Sequence, residues 1–118
     1  MLVLKNGMGR VHRDPKKAQV SWDIRTLGAG MSMVLERVEA EPGDWYIQLW
    51  RRPEGPFQLE YRAGTAAEHF QTRTDSVEKV VDAFFGWIDR DPAWMAAFEW
   101  TNIGDWFDHH ADATSGDS

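Results

Sequence analysis

Glu60, Arg62, His69 and Arg73 are the residues whose types and spacing come nearest to a chemical site. In FQLEYRA, residues 57–63, Phe57, Leu59 and Tyr61 alternate with Gln58, Glu60 and Arg62. HFQTRT, residues 69–74, alternates in the same way, with His69, Gln71 and Arg73 opposed to Phe70, Thr72 and Thr74. If both runs are strands, a period of two gathers the polar set on one face. A histidine beside a carboxylate is equipped for general-base work, and arginines for holding an anionic substrate. The competing reading is an ordinary wet sheet face, where opposite charges on neighbouring strands contribute roughly 0.2–1 kcal/mol per pair. No nucleophile, glycine-rich phosphate loop or metal-ligand spacing accompanies the four residues. The expectation is therefore a wet or binding face with no catalytic residue.

Three further groupings compete with it. His109, His110 and Asp112 are metal-ligand types, but adjacent positions on a small polar tail offer nothing to orient them, so neither metal nor cofactor is expected. Trp50, Tyr46, Arg52, Arg62 and Arg73 have the chemistry to stack bases and meet phosphates, but an acidic second half opposes nucleic acid. Glu78, Asp82 and Asp89, at 100° per residue, fall within about 40° of one another on a helix. Such a ridge is either a solvated acidic face or a docking surface for a basic partner, with Trp50 or Trp106 as buried anchors.

The elements that position these residues follow from periodicity. MSMVLERV (31–38) and WYIQLWRR (45–52) read as two more strands, separated from each other and from FQLEYRA by the turn signals EAEPGD and PEGP. Short links between four successive strands make an antiparallel meander. The period then lengthens. In TDSVEKVVDAFFGWIDRD, Val77, Val80, Val81, Phe84, Phe85 and Ile88 form one helical stripe, with Thr74 or Asp75 as its N-cap. Asp91-Pro92 ends that helix and opens a second, shorter one over AWMAAFEW, whose Trp94, Phe98 and Trp100 should pack on the sheet or main helix. Nearer the start, Asn6-Gly7 marks a hairpin turn, and the alternation of Val20, Trp22 and Ile24 reads as another strand. The whole is an α+β domain over residues 1–106: an antiparallel meander of four to six strands, one main helix on one face and a short C-terminal helix. A disordered tail is expected over 107–118.

Bulk properties narrow the function. Length and a 42% apolar fraction with seven Trp allow one well-packed core. With no cysteine, disulfides and thiolate metal sites are excluded. The opening MLVLKNGMGR turns polar after four residues and no long apolar run follows, so a cytoplasmic protein without a membrane partner is expected. Charge is uneven: residues 1–74 hold 11 basic and 9 acidic side chains, residues 75–118 only 2 against 10. The acidic half attracts basic proteins and repels nucleic acid.

Over residues 31–103 the chain resembles the first-numbered immunity-protein family of bacterial polymorphic toxin systems. The resemblance lies in VLER, a YIQ strand, LEYRAG followed by HFQT, then the helix and the W…FEW pattern. It covers Glu60, Tyr61, Arg62, Gly64, His69, Phe70, Trp94 and Trp100; residues 1–30 and the tail lie outside it. The resemblance implies a small α+β protein that binds and neutralises a toxin encoded by a neighbouring gene, frequently a deaminase-type toxin. It assigns no contact residues. Two alternatives stay open: a bacterial ligand-binding or adaptor domain with an unrelated partner, and a small enzyme using Glu60 and His69.

Overall fold

The computed structural model describes residues 1–38 and 45–104. The chain opens with a hairpin of β1 (Leu2–Lys5) and β2 (Val11–Arg13), at the place Asn6-Gly7 marks. The Asn6 side-chain oxygen closes the loop, accepting from the backbone N–H groups of Met8 and Arg10 at 3.0 Å each. Next comes α1 (Lys17–Arg25), where the alternation of Val20, Trp22 and Ile24 suggests a strand. The strand reading fails because Val20 and Ile24 satisfy both periods, being four apart as well as two steps of two. Val20, Ile24 and Leu27 are buried at the i, i+4, i+7 spacing of a helix, whereas Trp22 is 64% exposed. The usual start signal is also missing, since Lys16 stands at the N-cap and makes no side-chain capping bond.

The meander follows: β3 (Ser32–Arg37), β4 (Trp45–Arg51), β5 (Phe57–Ala63) and β6 (His69–Thr74), each antiparallel to the next. After it, α2 runs over Val77–Asp89. Its N-cap is Ser76, whose hydroxyl accepts from the Lys79 N–H, and not Thr74 or Asp75. Thr74 acts one step earlier, accepting from the Ser76 N–H at 3.1 Å. At the other end Arg90 adopts a left-handed conformation with φ 57°. Asp91 then caps a 3-10 helix over Pro92–Ala97, the second, shorter helix its sequence suggests. A short β7 (Thr101–Asn102) returns to pair with β6.

The sheet has seven strands in the order β2-β1-β3-β4-β5-β6-β7, against the four to six expected. The strand without a sequence signal is the edge strand β7, too short to show a period. Register determines the two faces. Leu4, Leu35, Ile47, Tyr61 and Phe70 are paired across five strands, and this row lies under both helices in one core with Val20, Ile24, Val80, Val81 and Phe84. Tyr61 stacks on Phe70 at 5.0 Å and meets Trp94 and Trp100 edge-on at 5.2 and 4.8 Å. Trp94, Phe98 and Trp100 thus close the core, as their sequence suggests. The architecture is α+β in two layers, and neither helix covers the other sheet face. Among the described residues no helix is long and apolar enough to cross a membrane.

Candidate functional site

The helix-free face carries the opposite row: Val3, Glu36, Tyr46, Arg62 and His69, paired in that order across β1, β3, β4, β5 and β6. One step along lie Gln48, Glu60 and Gln71, and beyond them Trp50, Gln58 and Arg73. Alternation therefore places Glu60, Arg62 and His69 together, as the sequence suggests, and the structure shows how they are joined. His69 Nε2 meets Glu60 Oε1 at 2.9 Å, and Gln58 Nε2 donates to Glu60 Oε2 at 2.9 Å. Arg52 donates to Gln58 Oε1 at 2.7 Å. On the other side of the ring, Arg62 Nε donates to His69 Nδ1 at 3.2 Å, with the Tyr46 hydroxyl 3.3 Å from the same nitrogen.

Donor and acceptor roles in this chain are determined by its two ends. A guanidinium can only donate, so Nδ1 presents its lone pair to Arg62 and the ring proton sits on Nε2, aimed at Glu60. A carboxylate can only accept, which orients the Gln58 amide the same way. The ring is 1% exposed although it lies on the helix-free face. Burial alone would raise the Glu60 pKa, but hydrogen bonds from His69 and Gln58 more than offset it and the carboxyl lies below its ordinary value. Burial, partly countered by the Arg62 charge, raises the Tyr46 phenol. Among the described residues no buried side-chain nitrogen or oxygen lacks a partner. Chemically the set is a closed relay: both Glu60 oxygens and both His69 nitrogens are engaged.

The other sequence candidates fall elsewhere. Arg73 is exposed opposite Gln58 and stands outside the His69 hydrogen bonds. Trp50 is on the same face, its ring 4.7 Å below the Arg52 guanidinium. Trp106, and with it His109, His110 and Asp112, lies outside the described residues. Glu78, Asp82 and Asp89 are all exposed on α2, but two of the three are engaged by α1. Arg25 grips Glu78 with two bonds of 2.8 and 3.1 Å, and Lys17 reaches Asp89 at 2.7 Å. The Arg25 hydrogen bond and charge hold the Glu78 carboxyl below its ordinary range. Only Asp82 of the ridge stands clear of these pairs. Alternation already places Gln58 on the face of Glu60 and His69, but the signal that adds Tyr46 and Arg52 is the β4–β5 register, which the PEGP turn sets.

No cluster of three His, Asp or Glu side chains is placed to hold a metal among the described residues. No family model matches the chain, and neither does any curated protein or solved structure.

Proposed function

We propose that this protein is an immunity protein that binds and neutralises a toxin encoded beside it, one acting on nucleic acid such as a deaminase, in the cytoplasm of the bacterium that makes both. The resemblance over residues 31–103 motivates the reading. The observation that carries it is the sheet's helix-free face, cross-linked by the relay from Arg52 to Tyr46. Five adjacent strands, at roughly 4.8 Å spacing and up to about 20 Å length, present a surface of about 20 by 25 Å. A sheet surface on that scale suits a protein partner, whereas small substrates are taken in enclosed concavities. A small enzyme using Glu60 and His69 is the weaker reading, because a base needs a lone pair directed at substrate and the one on His69 faces Arg62.

Co-expression tests the proposal. The product of the neighbouring toxin gene should co-purify with this chain in a fixed ratio, and cells carrying both should survive induction that kills cells carrying the toxin alone. Survival without a complex, or a complex without protection, would each count against neutralisation by binding.

A further inference from the structure

One edge of the sheet is β2, and among the described residues no strand lies beyond it. The hairpin register shows which of its backbone groups point out. Asn6 N–H donates to the Arg10 carbonyl and Asp14 N–H to the Leu2 carbonyl, so residues 10, 12 and 14 turn their backbone groups toward β1. The alternation of an antiparallel ladder then turns the N–H and C=O of Val11 and Arg13 outward. Neither residue makes another hydrogen bond among the described residues. Side chains alternate as well. His12 is paired with the buried Leu4 on the helix side, whereas Val11 and Arg13 pair with Lys5 and Val3 on the helix-free side.

Beside this edge runs an open groove, walled by His12 on the strand and by Pro15, Lys16, Ala18 and Gln19 where α1 begins. Its surroundings are basic. Residues 5–17 hold five Lys and Arg against one carboxylate. That carboxylate, Asp14, accepts from the Leu2 N–H at 2.9 Å, and Lys17 is drawn to Asp89 on α2. Lys5, Arg10, Arg13 and Lys16 are exposed, and their side chains make no hydrogen bond or ion pair among the described residues. Such charges oppose pairing with a second copy, which would crowd the arginines of two chains into one seam. The same charges attract an acidic strand. Phosphates could meet the charge and the N–H groups, but they have no donor for the two outward carbonyls.

We propose that the outer edge of β2 takes up an extended acidic segment of another protein as an eighth, antiparallel strand. Residues of that segment opposite Val11 and Arg13 exchange both backbone bonds with them, and their side chains stand on the helix-free side beside Arg13 and Lys5. These positions take glutamate or aspartate. The residues between them turn toward the groove, where Pro15 and Ala18 suit a small apolar side chain such as valine. Main-chain bonds supply affinity, and the alternation of side chains supplies the choice of partner. This surface is independent of the toxin reading, and its test needs no toxin.

The test is a titration of the labelled full chain with a short synthetic peptide of alternating glutamate and valine, followed by backbone amide signals in two-dimensional NMR. Saturating shifts should centre on Val11 and Arg13, and hydrogen exchange at both amides should slow. Two derivatives of equal charge separate strand pairing from simple attraction. Methylating the glutamate nitrogens removes the N–H groups that meet β2 and should weaken binding about tenfold or more. Methylating the valine nitrogens, which face away, should leave affinity within about threefold. Arg13→Glu should weaken binding about fivefold. Val11→Pro removes one outward N–H and no bond to β1, so it should weaken binding about tenfold with the core signals in place. Equal affinity of the two methylated peptides, or undiminished binding by a folded Val11→Pro chain, would overturn the proposal. Tighter binding of a single-stranded oligonucleotide at the same amides, or a dimer of the chain that Val11→Pro dissolves, would do so as well.

Discussion

Glu60 has both oxygens in hydrogen bonds, and its acid–base behaviour follows from them. Its folded pKa lies below the ordinary 4.5 because His69 and Gln58 donate to the carboxylate strongly enough to outweigh burial. An unfolded chain exposes the same carboxyl to water, where it takes up a proton more readily. The contribution of Glu60 to stability is thus complete above about pH 4.5 and is lost as pH falls through the folded value. Urea unfolding of the parent between about pH 6 and pH 3 should show stability dropping as acid is added. Glu60→Gln should be less stable by about 1–3 kcal/mol near neutrality, since Gln58 loses its charged acceptor, and should show a shallower drop in acid. Parallel acid slopes in the two proteins would mean that the carboxylate gains nothing from His69 and Gln58. At this scale the sequence was legible as far as face and type. Which nitrogen of His69 points where was not, because it depends on where Arg62 and Glu60 reach the ring from the neighbouring strand.

Helices and strands raise a different question, that of contacts between elements. Gly86 stands inside α2, and helix propensity alone makes Gly→Ala there favourable by about 1 kcal/mol. Trp94 opposes that, since a Cβ at this position would lie 2.5–2.8 Å from three of its atoms. Gly86→Ala should therefore lower stability, by about 1–3 kcal/mol, through displacement of the 3-10 helix. A denaturation midpoint higher than the parent's would show that the 3-10 helix shifts at no cost. The four meander strands and α2 were readable from the chain because long apolar periods dominate them. Misreading α1 had a consequence beyond one element. As a strand, residues 18–27 would belong to the sheet; as a helix antiparallel to α2, they bring Arg25 to Glu78 and Lys17 to Asp89. The acidic ridge seen in the sequence is therefore half of an interhelical seam, and a one-dimensional count of carboxylates could not reveal its other half.

For the whole molecule, that pairing changes where a partner is to be sought. The excess of acid in residues 75–118, 10 carboxylates against 2 basic groups, suggested the helix layer. With Glu78 and Asp89 held by α1, reversing all three ridge charges would loosen the two helices as well as test docking, so Asp82 is the cleaner probe. Its counterpart on the helix-free face is Gln48, paired with Val34 on one side and Glu60 on the other. Charges at the rim of an interface act on association and are screened by salt, with a Debye length of about 8 Å at 0.15 M. Groups within the footprint act on dissociation instead. If the toxin docks on the sheet, Gln48→Arg should raise the dissociation rate about tenfold or more, the scale of a buried mismatch. Asp82→Lys should then alter association less than about threefold at low salt, and less still at physiological salt. Surface kinetics with the neighbouring gene's product at the two salt concentrations would decide between the layers. The reverse pattern, slow and salt-sensitive association in Asp82→Lys with an unchanged Gln48→Arg, would place the partner on the helices. In that case the relay from Arg52 to Tyr46 would serve to keep a solvent-facing sheet in register, without contact to a toxin.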